Sequence, residues 1–259
     1  MIEFKKIIYK DTKPFLLKKH YAHRMPSISY AYGLYYKNGL HGVLTFGTPA
    51  SPSLCKGIAG ENFKPDVIEL NRLYIDDSVS QKLDNVASQF VSYGLKQLKP
   101  FNRIVVSYAD TGMNHTGFIY QACNFIYTGK TKQRTDKYSG IGKHSRHYNK
   151  NKEEIYRTIR TSKYRYIYIA GDKRYKKNVM KHLNYPIIKK YPKGADKHYK
   201  VGDTEPTLVK DVKTGNIFLE SLLAKHWIKN AFYGKRATLG LILGATLFCT
   251  LIKFKKLIY

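Results

Sequence analysis

The chain has 259 residues and a mass of 30.0 kDa, with 43% hydrophobic and 14% aromatic residues, enough to bury a core and to exclude wholesale disorder. Its 46 Lys+Arg against 18 Asp+Glu leave a net charge of +28, which points to polyanionic partners, nucleic acid first and an anionic membrane surface second. Three scattered cysteines (Cys55, Cys123, Cys249) without C-x-x-C spacing exclude a disulfide scaffold and a zinc ribbon.

In chain order, Ile2–Tyr9 reads as a strand and Lys13–His20 as a helix. Ile28–Tyr36 and Leu40–Gly47 form a hairpin around Lys37-Asn38-Gly39, where Asn-Gly is the turn signal. Thr48–Lys64, rich in Pro, Ser and Gly, reads as a polar loop outside the core. Val67–Ile75 alternates as a strand, Ser88–Leu98 has helical spacing, and Arg103–Tyr108 is an apolar strand ending in Ala109-Asp110. Gly117–Cys123 is helical, Phe125–Tyr127 begins another strand, and Asn184–Gly194, with two prolines, is a loop or edge strand. The order predicts an α/β fold around a mixed sheet. The N-terminal MIEFKKIIYKD lacks the apolar run of a secretory signal, so a cytoplasmic protein is expected.

The charge is concentrated. Residues 131–200 hold 21 Lys+Arg, only 5 Asp+Glu, and ten tyrosines. Cations there would neutralise phosphates, and aromatic faces would stack on exposed bases; Tyr164, Tyr166 and Tyr168 also alternate as one face of a strand. The candidate nucleic-acid contacts are Arg165, Lys173, Arg174, Lys176 and Lys177, with double-stranded DNA the expected partner. Further on, residues 237–252 run uncharged for 16 residues between Lys235-Arg236 and Lys253, short of the roughly 20 that span a bilayer. Membrane association, a docking helix and a non-functional extension all stay open for this tail. The expected organisation is a core over 1–130, a basic segment over 131–200 that completes the fold and contacts DNA, and a linker with a hydrophobic helix over 201–259.

The segment Ser107–Gly129 reads as strand, Asn-containing turn, helix and aromatic-start strand. With Asn114, Tyr120, Asn124-Phe125 and Gly129 at their spacing, it resembles the second half of the GNAT acyltransferase fold. That resemblance implies a GNAT-like mixed, mostly antiparallel central sheet flanked by helices, here with a basic C-terminal extension. It also implies Tyr120 as general acid toward a leaving group. The stretch where GNAT enzymes cradle the pyrophosphate of acyl-CoA, here Asp76–Asn85, has no glycine and three acidic residues, which speaks against ordinary acetyl-CoA binding.

A more specific resemblance covers most of residues 20–130. His20-Tyr21, His23–Ser27, Leu44–Gly47, Cys55–Gly60, Glu69–Leu73 and Ser107–Gly129 resemble, in order and spacing, the Mom family of phage DNA-modification proteins. The resemblance implies a transferase that converts DNA adenine to its N6-carbamoylmethyl derivative, protecting phage DNA from restriction in the host cytoplasm. The matching functional positions are His20, Tyr21, Arg72, Asp110 and Tyr120, with Tyr21, Arg72, Asp110 and Tyr120 as the catalytic set. The resemblance further implies an iron ion, for which His20, Tyr21 and Asp110 are the candidate ligands. Whether the group donor is of acyl-CoA type is left open.

On the residues alone, Asp110 at a strand end suits a base or a metal ligand, and one of Asn71 and Arg72 faces the site. His20 could instead end a helix, Asp110 cap a turn, and Arg72 pair structurally with Glu69. Tyr30, Tyr32 and Tyr108 are the candidate stacking partners for a flipped base. Two other functions stay open beside DNA modification. One is N-acyl transfer to another amine of protein or tRNA, and the other is nucleic-acid binding without catalysis.

Overall fold

The computed structural model describes residues 1–140, 156–194 and 207–210; the hydrophobic run 237–252 and most of the expected linker lie outside them. The hairpin is where the sequence puts it. Strands β1 (Ile2–Lys6), β2 (Tyr30–Tyr36) and β3 (Gly39–Gly47) pair antiparallel, and Lys37 and Asn38 have φ of +47° and +66°, the left-handed pair that a two-residue hairpin turn requires. The N-terminal helix starts earlier than its spacing suggests: α1 (Tyr9–Pro14) continues as a π-type turn over Phe15–Lys19. Pro14 has no N–H to give, and the chain passes it by widening, with the His20 N–H donating to Phe15 O at 2.8 Å.

The stretch after β3 corrects the sequence reading. Residues expected as a loop form α2 (Pro52–Ala59) and a 3₁₀ segment (Glu61–Asp66). Ser51 caps the helix through Leu54 N, Pro52 opens it, and Cys55, Ile58, Ala59 and Phe63 are buried in the core. The Pro and Ser content marks a helix start here, while Cys55, Ile58 and Ala59 supply a helical apolar stripe.

Strand β4 (Val67–Ile75) follows, then a single helical turn α3 (Asp77–Ser80), α4 (Val86–Leu98), β5 (Arg103–Asp110), α5 (Phe118–Ala122) and β6 (Ile126–Lys130). Next come β7 (Arg134–Lys137), β8 (Tyr156–Arg160), β9 (Lys163–Ala170), α6 (Lys173–His182) and β10 (Leu208–Lys210). The main sheet has the order β1-β2-β3-β4-β5-β9-β6, and only β4 and β5 run parallel; β10, β8 and β7 form a small second sheet. The mixed, mostly antiparallel sheet flanked by helices is the architecture expected. Strand β9 lies between β5 and β6, antiparallel to both, so residues beyond 130 complete the main sheet. Asn184–Gly194 has no regular structure.

Helix α4 covers one face through Phe90, Val91, Leu95 and Leu98, and α5 adds the partly buried Ile119 and Tyr120. Helix α2, the 3₁₀ segment and α6 cover Ile104, Val106, Ile167 and Ile169 on the other, and Phe15 and Leu16 pack beside Val43. Tyr166 is fully buried, with its hydroxyl on Thr116 O.

Candidate active site

Strands β4 and β5 pair only from Val67–Glu69 against Ile104–Val106. Beyond Glu69 they part, and Ser107 Oγ reaches across the opening to donate to Leu70 O at 3.0 Å. The gap is a cleft of about 720 Å³ at the carboxyl ends of the two strands, the position where open α/β sheets hold ligands.

A bulge in β4 decides which side chains enter it. Thr45 of β3 pairs with Arg72 and Phe46 with Leu70, which leaves Asn71 as the extra residue. Glu69 and Arg72, three apart in sequence, oppose Gly47 and Thr45, two apart; the bulge therefore brings both to one face of the sheet. Asn71 holds the bulge open. Its Oδ1 accepts from the fully buried Thr45 hydroxyl at 2.6 Å, and its Nδ2 donates to Ser27 O at 2.7 Å. Both Asn71 and Arg72 line the cleft, where strand alternation alone would admit one.

The Arg72 guanidinium donates to Asn71 O at 2.6 Å and to Arg24 O at 3.4 Å, while its Nε is buried with no partner. Glu69 has no hydrogen bond or ion pair among the described residues, and burial pushes its carboxyl above the usual range, against the pull of Arg72, Lys163 and Arg24. The Arg72–Glu69 ion pair weighed from sequence is not among the ion pairs of the described residues.

The end of the π turn supplies His20 and Tyr21, whose rings stack at 4.4 Å, with His115 edge-on to Tyr21 at 6.3 Å. His20 is buried, and its Nδ1 accepts from Ala22 N at 3.0 Å. Burial and the charges of Arg72, His23 and His115 lower its pKa to about 3, so it is neutral with its proton on Nε2. Tyr120 enters the cleft from α5, its ring against Phe125 and Tyr166. Burial pushes its pKa up to about 12, against the pull of the neighbouring Ser107 hydroxyl. Tyr108 also lines the cleft, whereas Tyr32 is buried in the core against Phe46 and Tyr93, and Tyr30 packs on Phe101.

Of the residues singled out by sequence, His20, Tyr21, Arg72 and Tyr120 thus meet in one cleft. Asp110 is not among its lining residues. Its carboxylate accepts from Gly112 N at 3.0 Å, from the Thr161 hydroxyl and from Lys163 Nζ at 2.8 Å. Burial opposes its charge, but Lys163 and these donors hold it below the usual aspartate range. Asp110 caps the turn over Thr111–Met113. The cleft residues that sequence reading left out of the site include Glu69, His115 and Lys163. Glu69 stood within a quoted motif, but nothing in sequence showed that it has no hydrogen bond or ion pair among the described residues.

The residues expected to contact nucleic acid separate in space. Arg165 is half-buried and engaged: its guanidinium donates to Thr128 Oγ1 at 2.9 Å and Thr128 O at 3.0 Å and stacks 3.4 Å from the Tyr185 ring. Lys173, Arg174 and Lys177 are exposed on α6, and Lys176 lies over the Tyr168 ring. Along β9, Lys163 pairs with Asp110 at the cleft end and Ala170 with Arg103 at the other; α6 follows Ala170, at the end of the sheet away from the cleft.

Iron finds no ready site in this arrangement. Both oxygens of Asp110 are engaged, Lys163 already neutralises it, and the His20 nitrogen free of Ala22 carries the proton. No group of three His, Cys, Asp or Glu stands together as a metal site among the described residues. The cleft lining carries Lys18, Lys19, Arg72 and Lys163 against Glu69 and Asp77, which favours anions. In the stretch Asp76–Asn85, Asp76 receives Lys19, His41 and Tyr74, an acidic node where a pyrophosphate cradle would need free N–H groups.

A model of the Mom protein family matches residues 1–193. This chain belongs to the Mom protein family. Among curated relatives, the methylcarbamoylase Mom of Escherichia phage Mu is 32% identical over 115 residues, which are 43% of this chain and 46% of that protein; the match thus spans about half of the relative's length. Solved structures similar to the family member described here include an N-acetyltransferase from Staphylococcus aureus Mu50 (14% identity, 66% of this chain and 99% of that one, TM-score 0.40). Another is a GNAT family acetyltransferase from Elizabethkingia anophelis with acetyl-CoA bound (13%, 65% and 97%, TM-score 0.39). A third is the ribosomal-protein-S18-alanine N-acetyltransferase of Escherichia coli (7%, 66% and 96%, TM-score 0.40). No helix of the described residues is long and apolar enough to cross a membrane.

Proposed function

We propose that this chain is a DNA-modifying transferase that places a carbamoylmethyl group on N6 of adenine in phage DNA and so shields it from restriction in the host cytoplasm. The observation that carries the reading is the basic cleft at the β4–β5 opening, which gathers His20, Tyr21, Arg72 and Tyr120 in a chain of the Mom family. The phage Mu relative is named a methylcarbamoylase, which supports carbamoylmethyl as the group transferred.

The chemistry asks for three things. Adenine N6 is paired inside a duplex, so the base must leave the stack, at a cost of a few kcal/mol; a cleft of about 720 Å³ falls within the roughly 300–1,000 Å³ of small-molecule sites, and the Tyr108 and Tyr21 rings offer flat walls. The donor carries a carbamoyl oxygen, for which the Arg72 guanidinium that lines the cleft is a hydrogen-bond donor. The leaving group needs a proton, and Tyr120, protonated at neutral pH, is the phenol in reach. The net charge of +28 draws the duplex in, with phosphates met by the lysines of the cleft rim and of α6.

Plasmid DNA from bacteria making this chain is expected to resist restriction endonucleases whose sites contain adenine, and DNA from cells making Tyr120→Phe to be cut as control DNA is. Equal cutting of all samples, with the chain soluble and folded, would refute the proposal.

A further inference from the structure

We infer that Phe118 is the wedge that fills the base stack when the target adenine leaves it. The inference rests on the function proposed above and supplies what extrusion of a base needs besides a cleft. An adenine turned out of a duplex leaves a gap between its neighbours, and proteins that unstack a DNA step commonly insert an apolar side chain there, Phe among them. Such a side chain must stand in solvent beside the cleft, on backbone that does not yield.

Phe118 meets both conditions. Of the large exposed apolar side chains among the described residues, it alone lines the cleft, and it is 63% exposed. A single exposed apolar residue is ordinary on a protein surface; its place and its mounting set this one apart. It is the first residue of α5, the helix that carries Tyr120 into the cleft. Gly117 before it has φ of +86°, and a β-carbon there would meet the Tyr166 ring, so the chain enters α5 by this path only with glycine. Thr116 O accepts from the Tyr166 hydroxyl and from Gln121 Nε2 at 3.2 Å, and Gln121 Nε2 also donates to Pro192 O at 3.2 Å. The turn that presents the ring is thereby tied to β9 and to the segment after α6, and little ordering is left to do when DNA arrives.

The surroundings suit a duplex edge. Lys18, exposed on the π turn, lines the cleft, and Lys193 is exposed next to Gly194, where a β-carbon would lie 2.9 Å from Thr116 Cγ2. Cations on the π turn and after α6 are thus available to phosphates near the opened step. The aromatic groups divide the work by exposure. Tyr21 and Tyr108, half-buried in the cleft, belong with the extruded base, whereas Phe118 belongs with the gap it leaves.

The first test is nucleoside mass spectrometry on DNA from cells making wild type, Phe118→Ala and Phe118→Leu at matched levels, with thermal melts of each purified chain. The ring is mostly in solvent, so the three are expected to melt together. Modified deoxyadenosine should fall by about 5–150-fold in Phe118→Ala, the equivalent of one lost base–aromatic stack, and by less in Phe118→Leu, which keeps an apolar wedge. The second test uses a G·C duplex with a single A·T pair whose adenine is replaced by 2-aminopurine, which brightens as it unstacks. At concentrations where both chains bind the duplex, wild type should brighten it and Phe118→Ala should leave it dim. Wild-type levels of modification from Phe118→Ala would overturn the wedge. So would full brightening by that variant, which would leave Phe118 only a part in the chemistry of the cleft, and so would a duplex that wild type binds and leaves dim. Unmodified DNA from wild-type cells beside a duplex that brightens would instead overturn the function proposed above and keep the wedge.

Discussion

The bulge that aims Arg72 hangs on one side chain, and its energetics can be measured. Replacing Asn71 by Ala removes the acceptor of the Thr45 hydroxyl and the donor to Ser27 O. Thr45 is fully buried, so its hydroxyl is left unsatisfied at a cost of about 1–3 kcal/mol, with about 1 kcal/mol more for the lost bond to Ser27. A total of about 2–4 kcal/mol, at about 2–4 °C per kcal/mol for a domain of this size, lowers the melting temperature by about 4–16 °C. The decisive variant is the double one. Thr45→Val, close in shape, orphans Asn71 Oδ1 on its own, but in Asn71→Ala/Thr45→Val neither partner remains to be left unpaired. A double-mutant cycle followed by denaturant unfolding should therefore show the double variant more stable than the sum of the single losses, by about 1–2 kcal/mol. Additive losses, or an Asn71→Ala chain that melts with wild type, would refute the claim that this pair holds the bulge.

Other consequences follow from the same contacts. Asp110→Ala leaves Lys163 unpaired and Thr161 and Gly112 without their acceptor, and is expected to cost about 2–3 kcal/mol in denaturant unfolding. Because the Asp110 pKa is depressed in the fold, its contribution is present above the ordinary aspartate pKa and fades as pH falls through the folded value; acid unfolding of Asp110→Asn should be the flatter in that range. Glu69 has the reverse sign. Its pKa is raised in the fold, so wild type loses stability as pH rises from the ordinary glutamate range through the raised value, and Glu69→Gln should gain on wild type over that window. On DNA, replacing Lys173, Arg174 and Lys177 together by Gln should lower the slope of log affinity against log salt by about 2–3; an unchanged slope removes α6 from the interface. Arg165→Ala should instead destabilise the chain by about 1–3 kcal/mol, since it strips two bonds from Thr128.

Much of this molecule can be read from its residues, and the failures have definite causes. The hairpin, β4 over Val67–Ile75 and the β5–α5–β6 run follow from local turn chemistry and period-two alternation, and they appear where expected. The α2 region was misread because Ser51-Pro52 marks a helix start as readily as a loop, and only the spacing of Cys55, Ile58 and Ala59 tells the two apart. Five site residues were legible through family resemblance, and four of them, His20, Tyr21, Arg72 and Tyr120, line the cleft. That Lys163 lies opposite the fifth, Asp110, depends on β9 inserting between β5 and β6, which no nearby residue encodes. Arg165 looked like surface charge because its neighbours are basic, yet the register places Thr128 and Tyr185 around it. Glu69 was hardest to see, since only the fold shows it lining the cleft with no hydrogen bond or ion pair among the described residues.

The proposed modification of adenine can be read directly from DNA. The direct measurement is mass spectrometry of nucleosides digested from DNA of bacteria producing the chain, beside DNA from the same cells without it. A heavier deoxyadenosine is expected, its added mass that of a carbamoylmethyl group, with the other three nucleosides unchanged. Unmodified deoxyadenosine from cells rich in folded chain, or added mass on a different nucleoside, would contradict it.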